Sequence, residues 1–107
     1  MPTYNKLVRD RIPEIIKQSG STFRTRILDD TEYIEELKSK VQEELKEYLE
    51  TQSDKEAIDE LVDLIEVINA LANIHGASEE QLNKVRQHKA GKRGKFEKRI
   101  FLIDVED

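Results

Sequence analysis

The chain has 107 residues, 38% of them charged and 36% hydrophobic, and carries a net charge of −5 at neutral pH. That length supports one domain, residues 1–107, with a modest core to which oligomerisation would add. The lack of cysteine excludes disulfides and thiolate chemistry. No apolar run reaches the length of a membrane span and the first residues lack a signal-peptide pattern, so a soluble cytoplasmic protein is expected.

Tyr4 to Arg11 contains the cations Lys6, Arg9 and Arg11, which read equally as solvated side chains or as phosphate contacts. Ile12 to Ile16 has the pattern of a short helix with Pro13 in its first turn and Gly20 as its stop. The alternation of Phe23, Thr25 and Ile27 with Arg24, Arg26 and Leu28 has the period of a strand. Asp29, Asp30 and Thr31 offer capping side chains for a helix whose apolar positions Ile34, Leu37, Val41, Leu45 and Tyr48 step by three and four residues, reaching Leu49 or Glu50. Ser53-Asp54-Lys55-Glu56 has the form of a capping box and opens a second long helix, to Ile74, that is apolar around much of its circumference. Such a helix packs on two sides or at a subunit interface. Gly76 should end it, and Ser78 to Gln81 begins another helix with a second capping box, extending to about His88. Gly91-Lys92-Arg93-Gly94-Lys95 reads as a flexible basic loop. Arg99 to Val105 reads as a strand that would pair with Phe23 to Leu28, removing one edge from each. An all-α fold is expected, built on an antiparallel helix hairpin with this small two-stranded element beside it.

The chemistry concentrates in the hairpin. Glu43, Glu44 and Glu47 lie within about one turn of the first long helix, and Glu60 and Asp63 repeat the spacing on the second. Glu44 falls on the Leu37, Val41, Tyr48 side, bordering the buried stripe, where a carboxylate needs a partner or a metal. Glu60 and Asp63 interrupt an otherwise apolar helix. Carboxylates brought together at this density repel unless a cation sits among them, and an all-oxygen donor set suits Mg²⁺ or Mn²⁺. Glu and Lys are also common on ordinary exposed helices, where such acids make routine charged neighbours. Cations dominate from Lys84 to Arg99, opposite in sign to the acidic stretch from Asp29 to Glu66. Among them Lys89, Lys92, Arg93 and Lys95 stand beside two glycines whose amides could also face phosphate. Tyr4, Tyr33, Tyr48 and Phe96 read as core rings or as stacking platforms for a base. His75 and His88 are not assigned to metal.

The spacing Glu43-Glu44-x-x-Glu47, then Glu60-x-x-Asp63, resembles the metal-binding signature of the all-α nucleoside triphosphate pyrophosphohydrolases, the MazG-like superfamily. The opening run from Tyr4 to Ile16 and the Lys92-Arg93-Gly94-x-Phe96 stretch are similar to small members of that superfamily described as phosphoribosyl-ATP pyrophosphohydrolase-like. The resemblance implies a MazG-like helical bundle that hydrolyses a nucleoside triphosphate to the monophosphate and pyrophosphate with Mg²⁺, or Mn²⁺, in nucleotide-pool house-cleaning. It implies Glu44, Glu47, Glu60 and Asp63 as metal ligands, Glu43 and Glu44 as catalytic carboxylates, and assembly as a homodimer or a dimer of dimers. Whether Glu43 supports the ligands or orients the water stays open. Lys6, Arg9, Lys89, Lys92, Arg93 and Lys95 are the candidate contacts for substrate phosphates. Two alternatives stand beside this reading: phosphoribosyl-ATP pyrophosphohydrolase activity, and a non-catalytic helical dimerisation or interaction module. Nucleic acid and membrane are not expected partners, since the net charge is negative and basic residues do not interleave with aromatics.

Overall fold

The computed structural model describes residues 2–106 and is all-α, with four helices: α1 (Ile12–Gln18), α2 (Asp30–Leu49), α3 (Asp54–Ile74) and α4 (Glu79–Arg93). The anticipated caps set three of the starts. Asp29 accepts from the Glu32 N–H at 2.8 Å, and Ser53 accepts from the Glu56 N–H at 3.2 Å. At Ser53 the box is displaced by one residue, because the Glu56 carboxylate takes the Gln52 N–H rather than that of Ser53. At Ser78 it is reciprocal, with the Gln81 N–H on the Ser78 hydroxyl and the Ser78 N–H on the Gln81 side chain, at 3.1 and 2.8 Å.

The end of α3 is equally local in origin. Gly76 adopts φ +82°, the Gly76 N–H reaches the Asn73 carbonyl at 3.0 Å, and the Ala77 N–H reaches the Ala72 carbonyl at 2.9 Å. Two carbonyls that would lack partners are thereby satisfied. A Cβ at Gly76 would meet nothing within 4 Å, so Gly76→Ala tests the backbone conformation alone. The left-handed conformation costs an L-residue about 1 kcal/mol. The variant should melt about 5 °C lower, readable by circular dichroism.

Only four residues, Glu50 to Ser53, separate α2 from α3, so the two helices fold back antiparallel and pack along their length. Leu37 and Ala72 are the buried apolar residues, and Glu44 is buried with them. α4 packs on the later part of α3, where Ile65, Ile68 and Asn69 face Leu82, Asn83 and Arg86 across an open cleft. None of the helices is long and apolar enough to cross a membrane.

Two expectations are corrected. Among the described residues no strand forms, and both Phe23–Leu28 and Arg99–Val105 run unpaired. A strand exists only where a neighbour takes its N–H and C=O groups, and neither segment is brought beside the other. Arg26 instead makes a two-pronged bond to Glu32, at 3.1 and 2.7 Å, which ties this connection to the first turn of α2. That bond raises the Arg26 pKa and lowers that of Glu32. The basic loop is also shorter than its glycines suggest, since α4 continues past His88 and through Gly91 to Arg93. One helical glycine costs only about 1 kcal/mol relative to alanine. The stop comes at Gly94, φ +82°, whose N–H bonds the Ala90 carbonyl at 2.8 Å.

Candidate metal centre

The hairpin brings Glu44 and Glu47 of α2 against Glu60 of α3. One carboxylate oxygen from each lies within 4.8 Å of the other two. The helical repeat puts Glu44 and Glu47 on neighbouring positions of one face, and antiparallel packing supplies Glu60 opposite them. The three grade from interior to solvent: Glu44 is 7% exposed, Glu60 is half-buried and Glu47 is exposed. The cluster is therefore anchored in the core and open on the Glu47 side.

Its electrostatics are unresolved by the protein alone. Glu44 Oε2 and Glu60 Oε2 are both buried with no hydrogen-bond partner. The nearest cation, Lys40, lies 3.9 Å from Glu44 and is shared with Glu43 at 3.5 Å. Burial pushes the Glu44 carboxyl up to about 7, helped by a proton shared with Glu60 and by the negative charges of Glu47 and Asp63. Glu60 is raised as well: the hydrogen bond with Glu44 pulls it down, but loss of water and the proximity of Glu47 and Asp63 outweigh that. Ionised, these groups are all acceptors and lack a donor. A proton or a cation must fill the gap, and two orphaned buried carboxylate oxygens fit a hard divalent ion with oxygen ligands.

Asp63, the fourth expected ligand, is engaged differently. Arg9 Nη2 donates to Asp63 Oδ1 at 2.6 Å, which draws the N-terminal segment to the rim of the cluster. Both side chains are substantially exposed, so the pair contributes at most about 1 kcal/mol to stability. Arg9→Ala leaves the fold intact and releases a fourth carboxylate beside the other three. Calorimetric titration should then show tighter binding of divalent cations than in the unaltered protein. Glu43 stands outside the trio, half-buried and paired with Lys40.

The remaining cations separate into two places. Lys6 lies over the Tyr4 ring, 5.7 Å from its centroid. Lys89, Arg93 and Lys95 line an open recess of about 420 Å³ together with Arg86, Ala90, Gly94 and Phe96, while Lys92 is not part of that lining. Among the described residues none of Lys89, Lys92, Arg93 and Lys95 forms an ion pair. Arg86 was not singled out from sequence, although Arg86, Lys89 and Arg93 have the three-and-four spacing of one helix face. Of the aromatic candidates, Tyr33 and Tyr48 are partly covered, whereas Tyr4 and Phe96 are exposed. His75 serves as the C-cap of α3 and His88 is exposed.

An uncharacterized protein of Mycolicibacterium smegmatis is 52% identical to this chain over 42 residues, covering 39% of this chain and 43% of that protein. The alignment thus takes in less than half of the relative's length. No family model and no solved structure matches the chain.

Proposed function

We propose that this protein is a Mg²⁺-dependent hydrolase of nucleoside triphosphates, converting NTP and water to the monophosphate and pyrophosphate, and that it clears unwanted nucleotides from the cellular pool. The observation that carries the reading is the convergence of Glu44, Glu47 and Glu60 around two buried carboxylate oxygens without donors. The resemblance of the acidic spacing to pyrophosphohydrolase signatures supplies the reaction class.

Glu44, Glu47 and Glu60 would hold Mg²⁺, with Mn²⁺ as a substitute, and Asp63 joins them when Arg9 lets go. A divalent ion held there neutralises phosphate oxygens and lowers the pKa of a water. Glu44 is the buried anchor that fixes the ion's position. Glu43, one residue away and paired with Lys40, is the carboxylate that would orient the attacking water and accept its proton. Arg9 sits on Asp63 at the rim of the cluster, and a triphosphate can take it over by offering oxygens of greater charge. Lys6 and the basic recess near Phe96, with Lys89, Arg93, Lys95 and the adjacent Lys92, supply further charge for a polyphosphate and a ring surface for a base. Positioning and charge neutralisation are the main requirements of phosphoryl transfer, and this arrangement provides both.

The test is a panel of nucleoside triphosphates, with phosphoribosyl-ATP included, incubated with Mg²⁺ and read by pyrophosphate release. Release from at least one substrate, abolished by chelation, is expected. A panel silent with both Mg²⁺ and Mn²⁺ would overturn the proposal. The uncovered apolar face of α3 favours a second reading, a non-catalytic association module. Calorimetry with Mg²⁺ and a non-hydrolysable triphosphate separates the two, since such a module binds neither.

A further inference from the structure

The N-terminal segment is tied by its side chains to the hairpin at the rim of the acidic cluster. Arg9 Nη2 donates to Asp63 Oδ1 at 2.6 Å across 54 positions of sequence. Among the described residues every other side-chain hydrogen bond and ion pair joins residues no more than six positions apart. Arg9 also carries the start of α1, since its carbonyl accepts the Ile12 N–H at 3.1 Å, and Arg11 pairs with Glu14 at 3.2 Å within that helix. Residues 9–18 are therefore linked as one piece. α1 buries none of its residues and packs on no other helix, so no helix contact takes over when the tie is lost.

At Asp63 two cations have a claim on one carboxylate. Arg9 holds it in the structure, while Asp63 stands one turn from Glu60, a member of the trio with two buried oxygens lacking donors. A divalent ion among those three attracts a fourth carboxylate and repels a guanidinium beside it. The tie is weak enough to yield. Its side chains are 56 and 41% exposed, and an exposed ion pair favours its bonded arrangement by no more than about fivefold.

We propose that ion binding and docking of the N-terminal segment exclude one another: a divalent cation entering the Glu44, Glu47, Glu60 cluster takes Asp63 from Arg9 and frees the segment that carries Lys6, Arg9 and Arg11. The inference rests on the metal centre proposed above and not on nucleotide hydrolysis. Without an ion, the Arg9 guanidinium is the counter-charge at the rim. With one, the cationic segment is set loose beside the ion, where it can meet an anion. Metal uptake thereby controls when the segment is available to a phosphate, an order of binding that a fixed cationic site does not impose. Coupling of this kind is reciprocal, so the factor by which Mg²⁺ loosens the segment is the factor by which Arg9→Ala tightens Mg²⁺, up to about fivefold in each case.

Limited trypsin digestion of the full chain, read by mass spectrometry, follows the segment directly, because cleavage tracks the population of the open form. Bound ligands ordinarily slow proteolysis by stabilising the fold. Here saturating Mg²⁺ should speed cleavage after Lys6 and Arg11 up to about fivefold over chelator, while cleavage after Arg86 in α4 does not rise. Asp63→Asn should be cut at the faster rate in chelator already and gain nothing further from Mg²⁺, with its helices retained by circular dichroism. Calorimetry on the same samples separates this exchange from the metal centre itself. Mg²⁺ uptake with unchanged or slower cleavage after Lys6 and Arg11 overturns the exclusion and leaves the metal centre standing, whereas no uptake at millimolar Mg²⁺ overturns both. An Asp63→Asn variant that responds to Mg²⁺ as the unaltered protein does also overturns the exclusion.

Discussion

Glu44→Gln should lower pyrophosphate release at least about a thousandfold, equivalent to about 4 kcal/mol of transition-state stabilisation, while making the metal-free protein more stable at pH 8. Both effects come from the Glu44 carboxylate. In the proposed centre the carboxylate would anchor the ion from inside the hairpin, and a neutral amide is a poor ligand for a hard cation. Without metal, the same carboxylate is a buried charge with an orphaned oxygen, in a cluster where Glu60 carries another. The glutamine NH₂ can donate to Glu60, and it removes the repulsion felt from Glu47 and Asp63. A residue that merely held the helices together would lose stability and activity in parallel. Opposite movement of the two, measured as initial rate and as Tm in chelator, is the signature of a site that stores repulsion for a cation. Glu43→Gln, by contrast, should depress the rate with metal affinity nearly unchanged, because Glu43 lies outside the trio.

The metal-free protein should also lose stability as the pH rises from about 4.5 to above 7. Glu44 carries a folded-state pKa of about 7 against 4.5 in the open chain. Between those values the folded state holds a proton that the unfolded state has released. Stability is therefore complete below the lower value and falls as the pH passes the upper one. Glu60, raised in the same direction, adds to the trend. Since water reaches the cluster from the Glu47 side, the loss attributable to Glu44 is discounted to about 2 kcal/mol, or about 10 °C in Tm. Saturating Mg²⁺ should restore most of that loss at pH 8 and much less at pH 5, where protons compete for the ligands. Thermal melts at the two pH values, with chelator and with Mg²⁺, give all four numbers. A Tm in chelator that rises from pH 5 to pH 8 contradicts the burial of Glu44 described above.

Local chemistry made most of the fold legible in the sequence. Ser53 and Gly76 bracket α3 within a residue of the expected limits, and Asp29 does the same for the start of α2, because caps act through neighbours two to five residues away. The burial of Glu44 followed from its place beside Leu37 and Val41. What local pattern could not supply was partnership. Phe23–Leu28 has the period of a strand, yet sheet formation depends on another segment arriving beside it, and the Arg26–Glu32 bond holds this one to α2 instead. Gly91 looked like a break because glycine is a poor helix former, but the propensity penalty is smaller than the gain from continuing the ladder to Arg93. In the site, the helical repeat placed Glu44, Glu47, Glu60 and Asp63 on facing helices. It could not show that Arg9, 54 residues away in sequence from Asp63, would take that carboxylate and leave the other three as the cluster.

The most direct test of the metal centre is anomalous diffraction from crystals soaked in Mn²⁺. The account predicts a single strong peak enclosed by Glu44, Glu47 and Glu60, at bonding distance from one oxygen of each and adjacent to Asp63. Well-ordered density for the three side chains at millimolar Mn²⁺, with no peak between them, would contradict it.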